Sequence, residues 1–213
     1  MIISCSTNNK QNNDSPNIVF IIADDASWKH FGVYGCEDLK TPNIDKMASQ
    51  GVLFQNAFVS TPSCTASRGS ILTGKNGFEL EDGILLAGYL PKKFKTYTEV
   101  LKEAGYKVGA TGKGWGPGTL FGRDVNPAGS PHNYLQENRY EDLFCENSIS
   151  PTNYAANFNN FLFEREEDQP FVFWVGAHEP HRPYTNGLAA TQNININEIT
   201  IPGLYPDTKD GRT

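Results

Sequence analysis

The chain is short of positive charge. Across 213 residues, 18 lysines and arginines face 24 aspartates and glutamates, a formal net charge of −6. No long basic run offsets that balance, which argues against nucleic acid as the main partner. Apolar runs are short as well: none approaches the roughly 20 residues needed to span a bilayer. The mean hydropathy is −0.47, so no membrane span is expected. Cysteine is scarce, limited to Cys5, Cys36, Cys64 and Cys145. No two of them stand in a Cys-x-x-Cys spacing, so neither a zinc motif nor a dithiol redox motif is indicated. There is no internal repeat. Low complexity is confined to residues 1–15, where the stretch from Ser6 to Ser15 is polar, rich in Asn and without a periodic face. Such a stretch cannot bury enough apolar surface to fold and is expected to be a disordered tether. Residues 16–213 are long enough to bury a sizeable core and suit one large α/β domain.

Short apolar runs, punctuated by Gly, Pro and acids, set out alternating strands and helices. Residues 17–23 are β-branched, of strand length, and end in Asp24-Asp25. Thr41-Pro42 opens a helix with an apolar stripe at Ile44, Met47 and Ala48, ended by Gly51. Cys64 stands at the mouth of a second helix that runs to Leu72-Thr73-Gly74. Thr96-Tyr97-Thr98-Glu99 is a capping box, and the helix after it is expected to bury Val100, Leu101 and Ala104 before Gly105 stops it. Residues 106–110 read as a strand entering the Gly-rich turn around Lys113. Residues 122–145 read as loop, and 151–165 as a helix with Tyr154, Phe158, Phe161 and Leu162 on one face. Residues 170–177 form another apolar run, closed by His178-Glu179-Pro180-His181. The segment from residue 184 onward has little regular pattern.

Several of these elements end in chemistry. Adjacent carboxylates at a strand end repel unless a cation lies between them, and a hard divalent ion bound through oxygens satisfies both. Arg68 lies four residues after Cys64, on the same helix face, so it can reach back to whatever Cys64 becomes or binds. A helix N-terminus also suits an anion. Lys113, in a flexible Gly-rich loop, is a point charge for sulfate or phosphate oxygens. His178 is suited to proton transfer near neutral pH. Taken singly, each has a plainer reading: Cys64 a buried free thiol, Asp24-Asp25 a solvated turn, Lys113 an exposed lysine, His178 and His181 imidazoles satisfied in a Pro-rich turn.

Taken together, these residues resemble a known family. Cys64-Thr65-Ala66-Ser67-Arg68 followed by Leu72-Thr73-Gly74 is similar to the signature of the type I sulfatases, Cys-x-Pro/Ala-x-Arg with a trailing Leu-Thr-Gly. Pro16 to Asp25 resembles the opening of such a protein, Gly112-Lys113 its sulfate-contacting loop, and His178-Glu179-Pro180 its His-x-Pro element. The resemblance implies an alkaline-phosphatase-like α/β sandwich around a central, mostly parallel sheet, truncated, since a full member carries further metal ligands, another Lys and a smaller C-terminal domain. It implies that Cys64 is oxidised to formylglycine by a formylglycine-generating or an anaerobic maturation enzyme. Asp24, Asp25 and the modified Cys64 would hold Ca²⁺ or Mg²⁺, Arg68 and Lys113 would steady the nucleophile and the sulfate, and His178 would assist the leaving group. Many members continue with a His where this chain has Trp115; the indole is expected to stack on a sugar ring or wall off water.

The implied reaction is hydrolysis of a sulfuric ester or sulfamate, with a sulfated small molecule or saccharide as partner. The form His178-Glu179-Pro180-His181-Arg182 looks like the sulfamidase and glycosaminoglycan-sulfatase branch. A phosphonate or phosphodiester hydrolase of the same superfamily, which can use the same modified Cys, and an inactive fragment are the alternatives. Met1 to Cys5 looks like the end of a lipoprotein signal, which would place the protein in the periplasm or at the cell surface with a lipid anchor at Cys5; the start of a reading frame accounts for it equally. Cys36 and Cys145 are then left to pair or stay free.

Overall fold

The computed structural model describes residues 15–134, 150–184, 187–191 and 194–208. Cys5, Cys145 and the tether up to residue 14 lie outside the described residues. Four strands, β1 (Ile18–Ala23), β2 (Lys107–Gly112), β3 (Ser130–Pro131) and β4 (Phe171–Ala177), form one sheet in the order β1-β4-β2-β3. Every pairing is parallel. The helices are α1 (Pro42–Gln50), α2 (Cys64–Thr73), α3 (Tyr97–Glu103), α4 (Tyr154–Phe163) and α5 (Leu188–Thr191). This is the α/β architecture with a parallel sheet that the alternation of apolar runs predicts.

A parallel sheet with helices on its faces is apolar on both sides, and β4 shows why its run is unbroken. Phe171 and Phe173 pack with Phe158 and Phe161 of α4, together with Leu162 and Val175. Trp174 points the other way, into a cluster with Leu72, Leu80, Leu90, Ala110, Trp115 and Ala128, against which Phe20 and Ile22 also pack. The register sets the outcome for the loops. Ile22, Gly176 and Gly112 lie in one row across the sheet, and Ala23 pairs with Ala177. Because the strands run the same way, the residues that follow, Asp24, His178 and Lys113, emerge along a single edge.

Two of the expected helix faces are turned. α1 forms where Thr41-Pro42 predicts it, but Met47 is 61% exposed and Ile44 also faces solvent. The helix is held by its polar side: Asp45 Oδ1 accepts from the Val33 N–H at 2.8 Å and from Thr41 Oγ1 at 3.0 Å, and Thr41 Oγ1 accepts from the Gly32 N–H at 2.8 Å. In α3 the capping box at Thr96 and Glu99 forms as expected, yet Val100 is 48% exposed and Ala104 is exposed too. The fully buried residue is Thr98, with Tyr97 and the expected Leu101 half-buried. On the polar side Arg123 donates to Glu99 Oε1 at 2.6 Å, to the Leu90 carbonyl at 3.0 Å and to the Phe94 carbonyl at 2.7 Å. It pins the first turn of the helix rather than its last.

Between sheet and α4 there is no spare room at Gly109. A Cβ there would lie 2.6 Å from Phe161 Cδ2 and Cε2 and 3.1 Å from Phe173 Cδ2. Gly109→Ala is therefore expected to destabilise the protein by about 1–3 kcal/mol, as overpacking does, read as a lower denaturant midpoint at unchanged m-value.

Candidate active site

The centre of the strand-end edge is Asp24, buried at the end of β1. Its Oδ1 accepts from Arg68 Nη2 at 3.1 Å, and its Oδ2 accepts from Lys113 Nζ. Cys64 Sγ lies 3.8 Å from Oδ1. Three side chains, two from α2 and one from the loop after β2, thus meet around this carboxylate. Burial raises the pKa of Asp24, but the Lys113 hydrogen bond and the charges of Arg68 and Lys113 outweigh it, and the carboxyl sits below its ordinary value.

Arg68 is only 2% exposed. Besides Asp24 it donates to the backbone carbonyls of Lys113 and Gly114, and its guanidinium lies 6.0 Å from the Trp174 ring centre. It does not reach Cys64 directly, as the helix spacing suggests it could; the two meet through Asp24. The Lys113 carbonyl also accepts from Trp174 Nε1 at 3.1 Å. Gly112 turns the chain at φ 70°, a value that favours glycine, and the Lys113 N–H closes back on the Gly176 carbonyl at 2.7 Å.

Two asparagines that the sequence does not single out complete this loop. Asn133 Oδ1 accepts from the Gly112 N–H at 2.7 Å, and Asn126 bonds both the N–H and the carbonyl of Trp115, at 2.9 and 3.2 Å. Their signal in the sequence is slight, because Asn in a Gly/Pro-rich loop is the ordinary turn residue.

Trp115 corrects an expectation. It is 4% exposed and part of the core, so it cannot stack on a substrate. Gly69 of α2 explains the depth: a Cβ there would come within 3.0 Å of Trp115 Cζ3. The missing side chain lets the helix close over the indole, whose Nε1 donates to the Thr119 carbonyl at 3.3 Å.

Asp25 follows with φ 61°, an uncommon conformation for a non-glycine residue. Its exposed carboxylate lies 3.6 Å from His181 Nε2. Asp24, Cys64 and His181 each offer a ligand atom, all within 4.8 Å of one another. His181, which the sequence does not single out as a ligand, joins the cluster, and Asp25 stands beside it. Adjacent carboxylates suit a hard cation, but such an ion takes about 6–8 oxygens, and this cluster offers one carboxylate, Asp24, beside a thiol and an imidazole, with Asp25 outside it. The thiol of Cys64 and the imidazole of His181 are softer donors; an oxygen at position 64 would fit the hard ion better. Among the described residues, Cys36 and Cys64 form no disulfide.

His178 follows β4 on the exposed side of the site. Partial desolvation pulls its pKa below the ordinary value; Glu179 opposes that shift and Lys113 adds to it. Its backbone N–H donates to the Tyr154 hydroxyl at 3.0 Å. Tyr154, read from the sequence as one of α4's apolar positions, thus belongs to the edge of the site as well.

The lowered pKa of Asp24 has a stability consequence. Its pairing contributes fully above the carboxyl's unfolded value, near 3.9. The contribution is lost as the pH falls from there through the folded value. Asp24→Asn is expected to remove that part of the acid unfolding limb and to cost roughly 3 kcal/mol at neutral pH, because buried Arg68 loses its counter-ion. Urea titrations of both proteins between neutral and acid pH measure both effects.

Comparison with known proteins places this edge in context. A sequence model of the family described as Sulfatase matches residues 16–198. An N-acetylglucosamine-6-O-sulfatase of Bacteroides thetaiotaomicron is 29% identical over 99% of this chain, and an N-acetylgalactosamine-6-O-sulfatase of the same organism is 38% identical over 56%. Human arylsulfatase G is 39% identical over 49%. The chain spans 39%, 25% and 21% of the lengths of these three relatives. Among solved structures, the phosphonate monoester hydrolase of Agrobacterium radiobacter superposes with a TM-score of 0.65 at 18% identity, covering 87% of this chain and 45% of that one. A protein solved with its substrate D-glucosamine-2-N,6-O-disulfate gives 0.61 at 24% identity, covering 80% and 36%. These superpositions show the alkaline-phosphatase-like α/β sandwich built on a central, mostly parallel sheet. Since one family model accounts for most of its length, the chain belongs to the sulfatase family.

Proposed function

We propose that the protein hydrolyses sulfuric esters of a saccharide, releasing inorganic sulfate, with formylglycine made from Cys64 as the nucleophile. The observation that carries this reading is the meeting of Asp24, Arg68 and Lys113 at the thiol that opens α2, in a chain of the sulfatase family. The saccharide is supported by the relatives named for 6-O-sulfated N-acetylhexosamines. The His178-Glu179-Pro180-His181-Arg182 stretch favours the sulfamidase and glycosaminoglycan-sulfatase branch, so an N-sulfate is a second linkage to assay. The maturation enzyme is the protein partner this chemistry requires. Among the described residues no helix is long and apolar enough to cross a membrane; a lipid anchor at Cys5, holding the protein in the periplasm or at the cell surface, is part of the proposal.

A Ca²⁺ or Mg²⁺ held by Asp24 and Asp25 would polarise the sulfate oxygens and favour ionisation of the attacking hydroxyl. The residues of the chain do the rest. Lys113 has the more accessible of the two cations at Asp24, with its side chain 14% exposed against 3% for Arg68. Lys113 is therefore the one to contact sulfate, while Arg68 holds Asp24 and the Lys113 main chain. His178 protonates the departing oxygen. Its pKa lies below the ordinary value, so the acid form is lost as the pH rises through a point under about 6.5. Turnover of a poor leaving group should decline over that range.

Four results test this reading. After co-expression with a maturation enzyme, peptide mass spectrometry should find formylglycine at position 64. Cys64→Ala should abolish sulfate release with little change in thermal midpoint, since a helix-start Cys packs little; an active Cys64→Ala protein would falsify the mechanism. Sulfate and phosphonate monoesters of one chromophore should be turned over in favour of the sulfate, and the opposite preference would reassign the substrate to the phosphonate class. His178→Ala should lower kcat on a saccharide sulfate by about 10²–10⁴ while sparing nitrophenyl sulfates, whose leaving group needs no acid. It should also abolish the pH decline. Equal loss on both substrates assigns His178 another role.

A further inference from the structure

One pair of residues, through side chains and one main-chain carbonyl, links all three strand ends that carry the proposed chemistry. Tyr154 opens α4, and its hydroxyl donates to Glu179 Oε2 at 2.9 Å while accepting from the His178 N–H at 3.0 Å. Glu179 Oε1 accepts from the Ser150 N–H at 2.7 Å, and the Glu179 carbonyl accepts from the Asp24 N–H at 3.0 Å. The Tyr154 ring lies over the end of β2: a Cβ on Gly112 would come within 2.7 Å of its Cε1. Gly112 immediately precedes Lys113. The pair therefore touches the main chain at or beside Asp24 after β1, Lys113 after β2 and His178 after β4.

The arrangement is saturated in a way that packing alone does not require. A phenol has one proton to give and lone pairs to accept with, and here the proton goes to a carboxylate while the oxygen takes a backbone N–H. α4 already docks on the sheet through Phe158 and Phe161, so a phenyl ring at 154 would serve the helix equally well. The hydroxyl adds the tie to His178 and Glu179, with the Ser150 side chain also within its reach. Burial raises the Tyr154 pKa above its ordinary value, which keeps the proton on the hydroxyl near neutral pH. On the carboxylate side, Glu179 uses one oxygen for Tyr154 and the other for Ser150, which tethers the segment entering α4 to the segment leaving β4.

We infer that Tyr154 and Glu179 are positioning residues: together they set the main chain of His178 relative to Asp24 and Lys113 without touching the reacting atoms. The kinetic half of this inference rests on the proposed sulfatase reaction; the structural half does not. Two measurements on Tyr154→Phe separate them. By NMR, hydrogen exchange of the His178 amide should accelerate about tenfold or more, with Phe173 and Val175 inside the β4 ladder keeping their protection. In the matured enzyme, kcat on a saccharide sulfate should fall about tenfold, and on a nitrophenyl sulfate no more than about twofold, at unchanged KM. Glu179→Gln keeps the size but leaves one acceptor oxygen for two donors, and should reproduce both effects. Unchanged protection of His178 in both variants overturns the tie, and so does loss of protection throughout β4, which marks a general fold defect. Equal loss on both substrates, or a change in KM alone, overturns the positioning role. If the wild-type protein releases no sulfate while His178 still responds to Tyr154→Phe, the sulfatase reading falls and the tie stands.

Discussion

The site depends on one buried carboxylate held between two cations. Asp24 lies where Arg68 and Lys113 converge, and none of the three is comfortable without the others. A guanidinium withdrawn from water is costly unless its charge is met and its donors are used. Arg68 meets both conditions by spending one nitrogen on Asp24 and another on the Lys113 and Gly114 carbonyls. A buried pair of this kind is weak evidence for net stability, because desolvation offsets much of the attraction. Its stronger effect is geometric: it locks the end of β1, the first turns of α2 and the loop after β2 into one arrangement beside Cys64.

The sheet makes that arrangement reachable. Parallel strands deliver their C-terminal ends to one edge, where open α/β folds keep their sites. Glycines supply the last ångströms. Gly112 turns the chain at positive φ, and Gly69 lets α2 close against Trp115. The indole then serves as floor rather than wall. It lies in the core beneath the loop that carries Lys113, and Asn126 clips that loop from the side. The soft donors of Cys64 and His181 and the hard donors of Asp24 and Asp25 share the same corner.

Legibility in the sequence follows the range of the forces involved. The face of α4 is readable because Phe158, Phe161 and Leu162 recur at helical spacing and nothing competes for them. The start of α2 at Cys64 and the caps of α1 and α3 are local, and the structure places all three helices at those positions. The buried faces of α1 and α3 are not readable in the same way. In each case a polar anchor, Asp45 with the Gly32–Tyr34 turn and Arg123 with Glu99, ties the helix down, and a modest apolar stripe is left partly exposed. Trp115 fails for a related reason: a large aromatic in a Gly-rich loop reads as exposed, and only the gap above Gly69 reveals where it goes.

The sequence by itself determined the order of β1, β2, β4 and the helices α1 to α4, the α/β class, and the residues that follow those strands; β3 and α5 fall in stretches that read as loop and as patternless. Each of these depends on neighbours a few positions apart, through periodicity, capping and turn preference. Only the tertiary structure decided that Arg68 reaches Cys64 through Asp24, that His181 rather than Asp25 joins Asp24 and Cys64 in one cluster, and that Tyr154 leaves its apolar face to hold His178. Those contacts join segments distant in the chain, and their partners are polar groups whose pairing is set by which donors and acceptors burial leaves no water to satisfy.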